Sequence, residues 1–195
     1  MMDELFGSLD YVSRGGVKLA HAIQRFDVPV NGRICVDVGA STGGFTDVLL
    51  KNNAARVYAV DVGHGQLDPS LRADSRVVVM ERVNARFLTP DMFPVMPDLA
   101  VVDVSFISLT LVLPAVFGIL ADSGRVVALV KPQFEAGRGK VGKRGIVKDP
   151  AVHAEVLEAI ADFISRSGWS LAGVIQSPIT GSGGNVEFLA DIRAC

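Results

Sequence analysis

The stretch Arg33-Ile-Cys-Val-Asp-Val-Gly-Ala-Ser-Thr-Gly-Gly-Phe-Thr46 decides the fold. Apolar residues from Ile34 to Val36 lead into Asp37, a glycine-rich turn follows, and an amphipathic run begins at Phe45 and reaches Lys51. That order reads as a buried parallel strand, a tight loop and the first turns of a helix. Such a junction presents free backbone N–H groups and a helix N-terminus at the carboxyl edge of a sheet, where nucleotide-like ligands bind. Glycine serves there because no Cβ stands between backbone and ligand.

Working outward, polar residues recur wherever a predicted strand ends. Arg56–Val62 reads as a second buried strand carrying Asp61 near its end, and Val77–Val83 as a third, followed by Asn84. Asp98–Asp103 is a fourth, ending in an acid, and Arg125–Val130 a fifth, ending at Lys131. Asp61 lies 22 residues beyond Gly39, close to the spacing at which an acid meets a ribose diol in doubly wound folds. Helices are expected at Leu19–Phe26 with Ser13 near its cap, in a short turn holding Leu67 and Leu71, and within the uncharged run Val104–Ala121. A further helix spans Pro150–Ser167, with Val152, Val156, Ile160, Phe163 and Ile164 as its apolar stripe. Residues 169–176 and 185–192 read as two closing strands joined by a short connection, which implies one antiparallel member. The pattern is that of an α/β three-layer sandwich with a mostly parallel sheet. The switch-point rule gathers Asp37, Asp61, Asp103 and Lys131 at one edge.

A chain of 195 residues, 49% hydrophobic, suits one domain over 11–195, with residues 1–10 as a flexible lead-in. Net charge of −2 advertises no general affinity for polyanions, so a nucleic-acid partner must meet a local patch. The one dense patch is Arg138, Lys140, Lys143, Arg144 and Lys148, five cations without an acid in eleven residues, which Arg14 would join. Cys35 and Cys195 form no disulfide framework, and His21, His64 and His153 show no metal-ligand spacing, so no metal is expected. The compartment read from these is a reducing cytoplasm. The first ten residues carry three acids and no secretory leader pattern. The 18-residue run Val104–Ala121 approaches the length of a membrane span, but Ser105, Ser108, Thr110, Pro114 and Gly118 punctuate it.

What the glycine loop lacks narrows its ligand. Gly39-Ala-Ser-Thr-Gly43-Gly44 has no Gly-Lys-Ser/Thr for a triphosphate and no Gly-x-Gly-x-x-Gly for a dinucleotide. Asp37 would repel phosphate but suits an amine, so a zwitterionic amino-acid tail joined to adenosine fits, and S-adenosylmethionine is such a ligand. Lys18 sits near the start of a helix, where a cation opposes the dipole; it is either simply solvated there or has another task.

Six ordered segments then carry a resemblance: Tyr11-Val-Ser-Arg-Gly-Gly-Val-Lys-Leu19, Val36-Asp-Val-Gly-Ala-Ser-Thr-Gly-Gly-Phe-Thr-Asp47, Ala59-Val-Asp-Val-Gly-His-Gly-Gln-Leu67, Val101-Val-Asp-Val-Ser-Phe-Ile-Ser-Leu109, Val130-Lys-Pro-Gln-Phe-Glu-Ala-Gly137 and Gly184-Asn-Val-Glu-Phe-Leu189. Together they resemble the TlyA, or haemolysin A, family of FtsJ-like ribose 2′-O-methyltransferases. The resemblance implies a Rossmann-like, seven-stranded S-adenosylmethionine-dependent methyltransferase fold acting on ribosomal RNA or a ribosomal subunit. Typical members carry a small N-terminal RNA-binding domain before the first motif, so the chain reads as a fragment or as a relative without that domain. The family's Lys-Asp-Lys-Glu tetrad falls by motif position on Lys18, Asp103, Lys131 and Glu187. On this reading Lys131 is the general base, eased by a neighbouring Lys18 ammonium, with the two acids orienting the lysines. The cofactor set is Asp37, Gly39, Ser41, Thr42, Gly43, Gly44, Asp61, Asn84 and Asp103, with Phe45 and Val62 as packing residues near the pocket. A cofactor- or RNA-binding protein inactive without a further domain is the alternative. A membrane-lytic protein is disfavoured because no amphipathic surface helix stands out.

Overall fold

The computed structural model describes residues 11–137 and 139–195. The lead-in 1–10 and Arg138 lie outside them, and so does the Lys143 side chain. Seven strands form one sheet: β1 (Ile34–Val38), β2 (Arg56–Asp61), β3 (Val77–Glu81), β4 (Leu99–Val102), β5 (Arg125–Val130), β6 (Trp169–Gln176) and β7 (Phe188–Ala194). Their order is β3-β2-β1-β4-β5-β7-β6. Neighbours from β3 to β5 are parallel, and β7 runs antiparallel to both β5 and β6. The helices are α1 (Gly15–Phe26), α2 (Gly44–Lys51), α3 (Pro69–Arg72), α4 (Leu113–Gly118), α5 (Pro132–Glu135) and α6 (Pro150–Arg166).

Period-two alternation along the strands divides the core into two faces. Val36, Val38, Val60, Val102, Val126 and Val130 pack with Leu113, Val116, Val156, Ile160 and Ile164 of α4 and α6. Cys35, Val57, Val101, Val127 and Leu129 pack on the other side with Leu19, Ala22, Val48 and Leu49 of α1 and α2. Because both faces are covered, the inner strands read as continuous apolar runs rather than alternating ones. Arg125 fixes α1 onto the sheet: its guanidinium donates to both oxygens of buried Asp191 and to the carbonyls of Phe26 and Asp27 at the helix's end.

Three local expectations are corrected and one is narrowed. Helix α1 begins at Gly15, so Lys18 lies inside it, and Arg14 rather than Ser13 occupies the cap; Ser13 offers only its carbonyl, to the Gly16 N–H. The helix expected within the uncharged run 104–121 is present as α4 and confined to Leu113–Gly118. Phe106 takes a left-handed φ of 63°, and the Ser108 side chain caps a separate 3-10 turn, Leu109–Leu111, before α4. The presumed loop after Lys131 opens with the one-turn helix α5. Strand β7 starts at Phe188, not Asn185, because the Asn185 side chain is committed to the preceding turn.

Candidate active site

The parallel strands deliver their polar successors to one edge. Gly39 follows β1 and sits against β4, with φ +88° and its Cα so near the Asp103 carbonyl that a Cβ would lie 2.4 Å from that oxygen. Only glycine allows this approach, which draws the loop after β1 against Asp103. Asp61, at the end of β2, holds the loop from the other side: its Oδ2 accepts from the Ser41 N–H at 2.8 Å and its Oδ1 from the Gly63 N–H at 2.7 Å. The antiparallel strand completes the edge. Val130 pairs with Phe188, so one step beyond that register sets Lys131 beside Glu187.

Lys18, Asp103, Lys131 and Glu187 come together as two ion pairs. The Lys18 ammonium donates to Glu187 Oε2 at 2.5 Å, and the Lys131 ammonium contacts Asp103 Oδ1 at 2.6 Å. Glu187 is 2% exposed and Lys131 8%. Each lysine therefore faces a carboxylate. Lys18 and Asp103 both line one cavity of about 260 Å³, which joins the pairs through a shared wall. Lys131 also donates to Ser105 Oγ at 2.8 Å.

Two cavities meet at Gly39, Ser41 and Asp103. The larger, about 510 Å³, is walled by Asp61, Val62, Asn84, Ser105, Phe106 and Ile107 among others, and lies inside the range of about 300–1,000 Å³ usual for small-molecule sites. No lysine or arginine lines it, while two acids do, so a phosphate would be unwelcome and a cationic, phosphate-free nucleoside suits its walls. Val62 is 73% exposed at its rim, hence cavity surface rather than the packing residue expected. Asn84 also caps a 3-10 turn by accepting from the Arg86 N–H. The smaller cavity is polar and takes Thr42, Gly44 and Phe45 from the glycine loop, with Arg14 and Thr180 opposite. Arg14 donates to the Thr180 carbonyl at 3.2 Å.

Two expected cofactor contacts stand behind the loop instead. Asp37 is 0% exposed and lines neither cavity; its Oδ2 accepts from the Thr46 hydroxyl at 2.7 Å, tying β1 to α2, while its Oδ1 has no hydrogen-bond partner among the described residues. Burial pushes its carboxyl up to about 7, with Asp103 and Asp61 adding repulsion against the pull of the Thr46 bonds. Gly43, at φ +97°, turns its bare Cα toward Leu71 and Leu67, where a Cβ would collide with both. Its constraint is packing.

The basic segment is only partly free. Lys140 pairs with Glu155, whereas Arg144 and Lys148 are exposed. Buried Asn185 straps this segment to the turn before β7, accepting from the Val147 N–H and donating to the carbonyls of Gly145 and Ser182. Glu135 performs a similar task under the site. It accepts from Ser108 Oγ at 2.6 Å and the Leu109 N–H at 2.8 Å, joining α5, just after Lys131, to the loop after Asp103. Burial raises its carboxyl above the usual range against those two bonds. Phe106, 90% exposed in its left-handed conformation, leans on Phe134 with ring centroids 5.0 Å apart. Ser105, Phe106, Glu135 and Asn185 all lie inside the quoted motifs, but nothing local marks their roles.

The fold is that of Rossmann-like S-adenosylmethionine-dependent methyltransferases: a solved example from Mesorhizobium loti matches with TM-score 0.65 at 15% identity, covering 89% of this chain and 96% of that one. Within that class the chain belongs to the FtsJ-like methyltransferase family, whose model matches residues 11–193. It is 52% identical over 183 residues to the 16S/23S rRNA (cytidine-2′-O)-methyltransferase TlyA of Mycobacterium tuberculosis, covering 94% of this chain and 68% of that protein. A Streptococcus thermophilus structure bearing a hemolysin name matches with TM-score 0.94 and 53% identity, over 96% of this chain and 68% of that one. The chain spans about two thirds of the length of the curated relatives it matches. Among the described residues no helix is long and apolar enough to cross a membrane.

Proposed function

We propose that the chain catalyses S-adenosylmethionine-dependent methylation of a ribose 2′-hydroxyl in ribosomal RNA, in the cytoplasm where ribosomes are found. The observation that carries this reading is the pair of lysine–carboxylate contacts at the meeting point of two cavities, one fit for a nucleoside and the other lined by Arg14 and Lys18. Relatives named as rRNA cytidine-2′-O-methyltransferases support the substrate class.

Bound S-adenosylmethionine supplies a methyl group on a positively charged sulfur. The protein's part is to position and deprotonate the acceptor. Asp61 and Asn84 face the larger cavity where a ribose diol and a purine would be recognised, and Gly39, Ser41, Thr42 and Gly44 offer backbone to an amino-acid tail. A ribose hydroxyl is a poor nucleophile, so its proton passes to Lys131 as the oxygen attacks, the ammonium having first released one proton to water to become the neutral amine. Asp103 holds that amine in place, and Lys18, held by Glu187, lines the adjoining cavity. Arg14, Arg144 and Lys148, together with Arg138 and Lys143, would meet the RNA backbone and fix register without reading sequence.

Lys131→Ala should lower methyl transfer by ~10²–10⁴-fold, the usual worth of a positioned base, while cofactor affinity stays nearly intact. Tritium transfer to rRNA, assayed on naked RNA and on intact subunits beside calorimetric binding of S-adenosylhomocysteine, checks both. Retained turnover would sink the assignment of the base.

A further inference from the structure

We propose that Ser105 is a positioning residue that fixes the direction in which Lys131 can accept a proton. The inference rests on the methyl-transfer reading above and goes beyond the Lys18–Asp103–Lys131–Glu187 set. A lysine amine is a poor director by itself: its nitrogen is tetrahedral and turns freely about the bond to Cε. One contact, to Asp103 Oδ1 at 2.6 Å, leaves that rotation open. A second, to Ser105 Oγ at 2.8 Å, closes it. The hydrogen bond to Ser105 Oγ therefore sets how the amine is turned, with the Asp103 carboxylate beside it as its ionic partner, and so sets the direction left for the acceptor hydroxyl.

The surroundings agree with that role. Ser105 is exposed on the wall of the larger cavity, next to Asp103. Lys131, in contrast, is almost wholly buried and lines neither cavity itself; its partners Asp103 and Ser105, which both line the larger one, mark where its amine stands behind the wall. The Ser105 hydroxyl accepts from Lys131, and its own proton has no acceptor among the described residues, so no competing bond pulls it away. Backbone geometry holds the serine there. The left-handed Phe106 turns the chain just after it, and Glu135 grips Ser108 and Leu109 three and four residues on from α5, the helix that begins beside Lys131. The two partners, 26 residues apart in sequence, are thus clamped by a second cross-link between the same two segments.

Ser105→Ala and Ser105→Thr test this against the wild-type protein and Lys131→Ala. For Ser105→Ala the expected result is a kcat lowered ~10-fold or more, as orientation losses typically give, with the KM for rRNA and the Kd for S-adenosylhomocysteine within ~2-fold. Ser105→Thr, which keeps the oxygen on the same carbon, should recover most of the lost kcat. An unchanged kcat in Ser105→Ala overturns the proposal. A loss explained wholly by weaker cofactor binding overturns it too, as does an equal loss in both variants, which would make the effect one of shape. If Lys131→Ala retains turnover, the base assignment fails instead; a dead Lys131→Ala beside an unaffected Ser105→Ala overturns only the role given to Ser105.

Discussion

Beneath the glycine loop, Asp37 carries a carboxyl whose neighbours are mostly wrong for a charge. One oxygen receives the Thr46 hydroxyl, the other receives no hydrogen bond from the described residues, and Asp103 and Asp61 stand beyond. The folded protein therefore holds its proton up to about pH 7, whereas an unfolded chain releases it near the ordinary aspartate value of about 4. Between those values the folded state binds more protons than the unfolded one, so this group's contribution is full below the lower value and is lost as pH rises through the upper. Asp37→Asn keeps an acceptor for Thr46 and cannot ionise. Its unfolding free energy should gain on the wild type between pH 4.5 and 8, by an amount on the order of 3 kcal/mol, and the difference should level off above pH 8. Denaturant melts across that range check it; parallel curves for the two proteins would contradict it.

Among the elements, β7 and the segment before it decide how the edge is finished. Asn185 spends all of its side chain on the strap between residues 145–147 and the turn at Ser182. Asn185→Ala leaves the N–H of buried Val147 without an acceptor, a cost of about 1–3 kcal/mol. Trypsin should then cut faster at Lys143, Arg144 or Lys148, and an unchanged digestion pattern would show that the strap is dispensable. The strand ends at Asp37, Asp61, Asp103 and Lys131 are legible in the sequence because a buried strand is a continuous apolar run and the polar residue closing it marks the sheet's edge. Helix α6 is legible for the same reason, through its stripe at Val156, Ile160 and Ile164. The register of Val130 with Phe188, the grip of Lys131 on Ser105 and the grip of Glu135 on Ser108 link residues distant in the chain, and no local pattern encodes such a partner. In the run 104–121 the buried helix is legible and its bounds are not. Its apolar content reports burial correctly, while a left-handed Phe106 and the Ser108 cap, both tertiary outcomes, delay the helix to Leu113.

Across the whole molecule, the link between Lys18 and Glu187 spans 169 residues and joins α1 to the start of β7. Both side chains are largely withdrawn from water, at 11% and 3% exposure. Lys18→Met would strand a buried carboxylate, and breaking such a pair costs about 3–5 kcal/mol. Adding Glu187→Leu should restore much of that stability while methyl transfer stays absent; urea titrations and the tritium assay on the same three proteins separate the two effects. Because β7 lies between β5 and β6, the edge carrying Asp37, Asp61, Asp103 and Lys131 waits for a strand that is made after all of them. Chains emerge from the ribosome N-terminus first, at roughly 5–20 residues per second, and domains fold as units. A nascent chain would hold the glycine loop well before it holds Glu187. Its tetrad would close only as the last strand arrives, so an unfinished copy would have a place for the methyl donor and no complete machinery to use it.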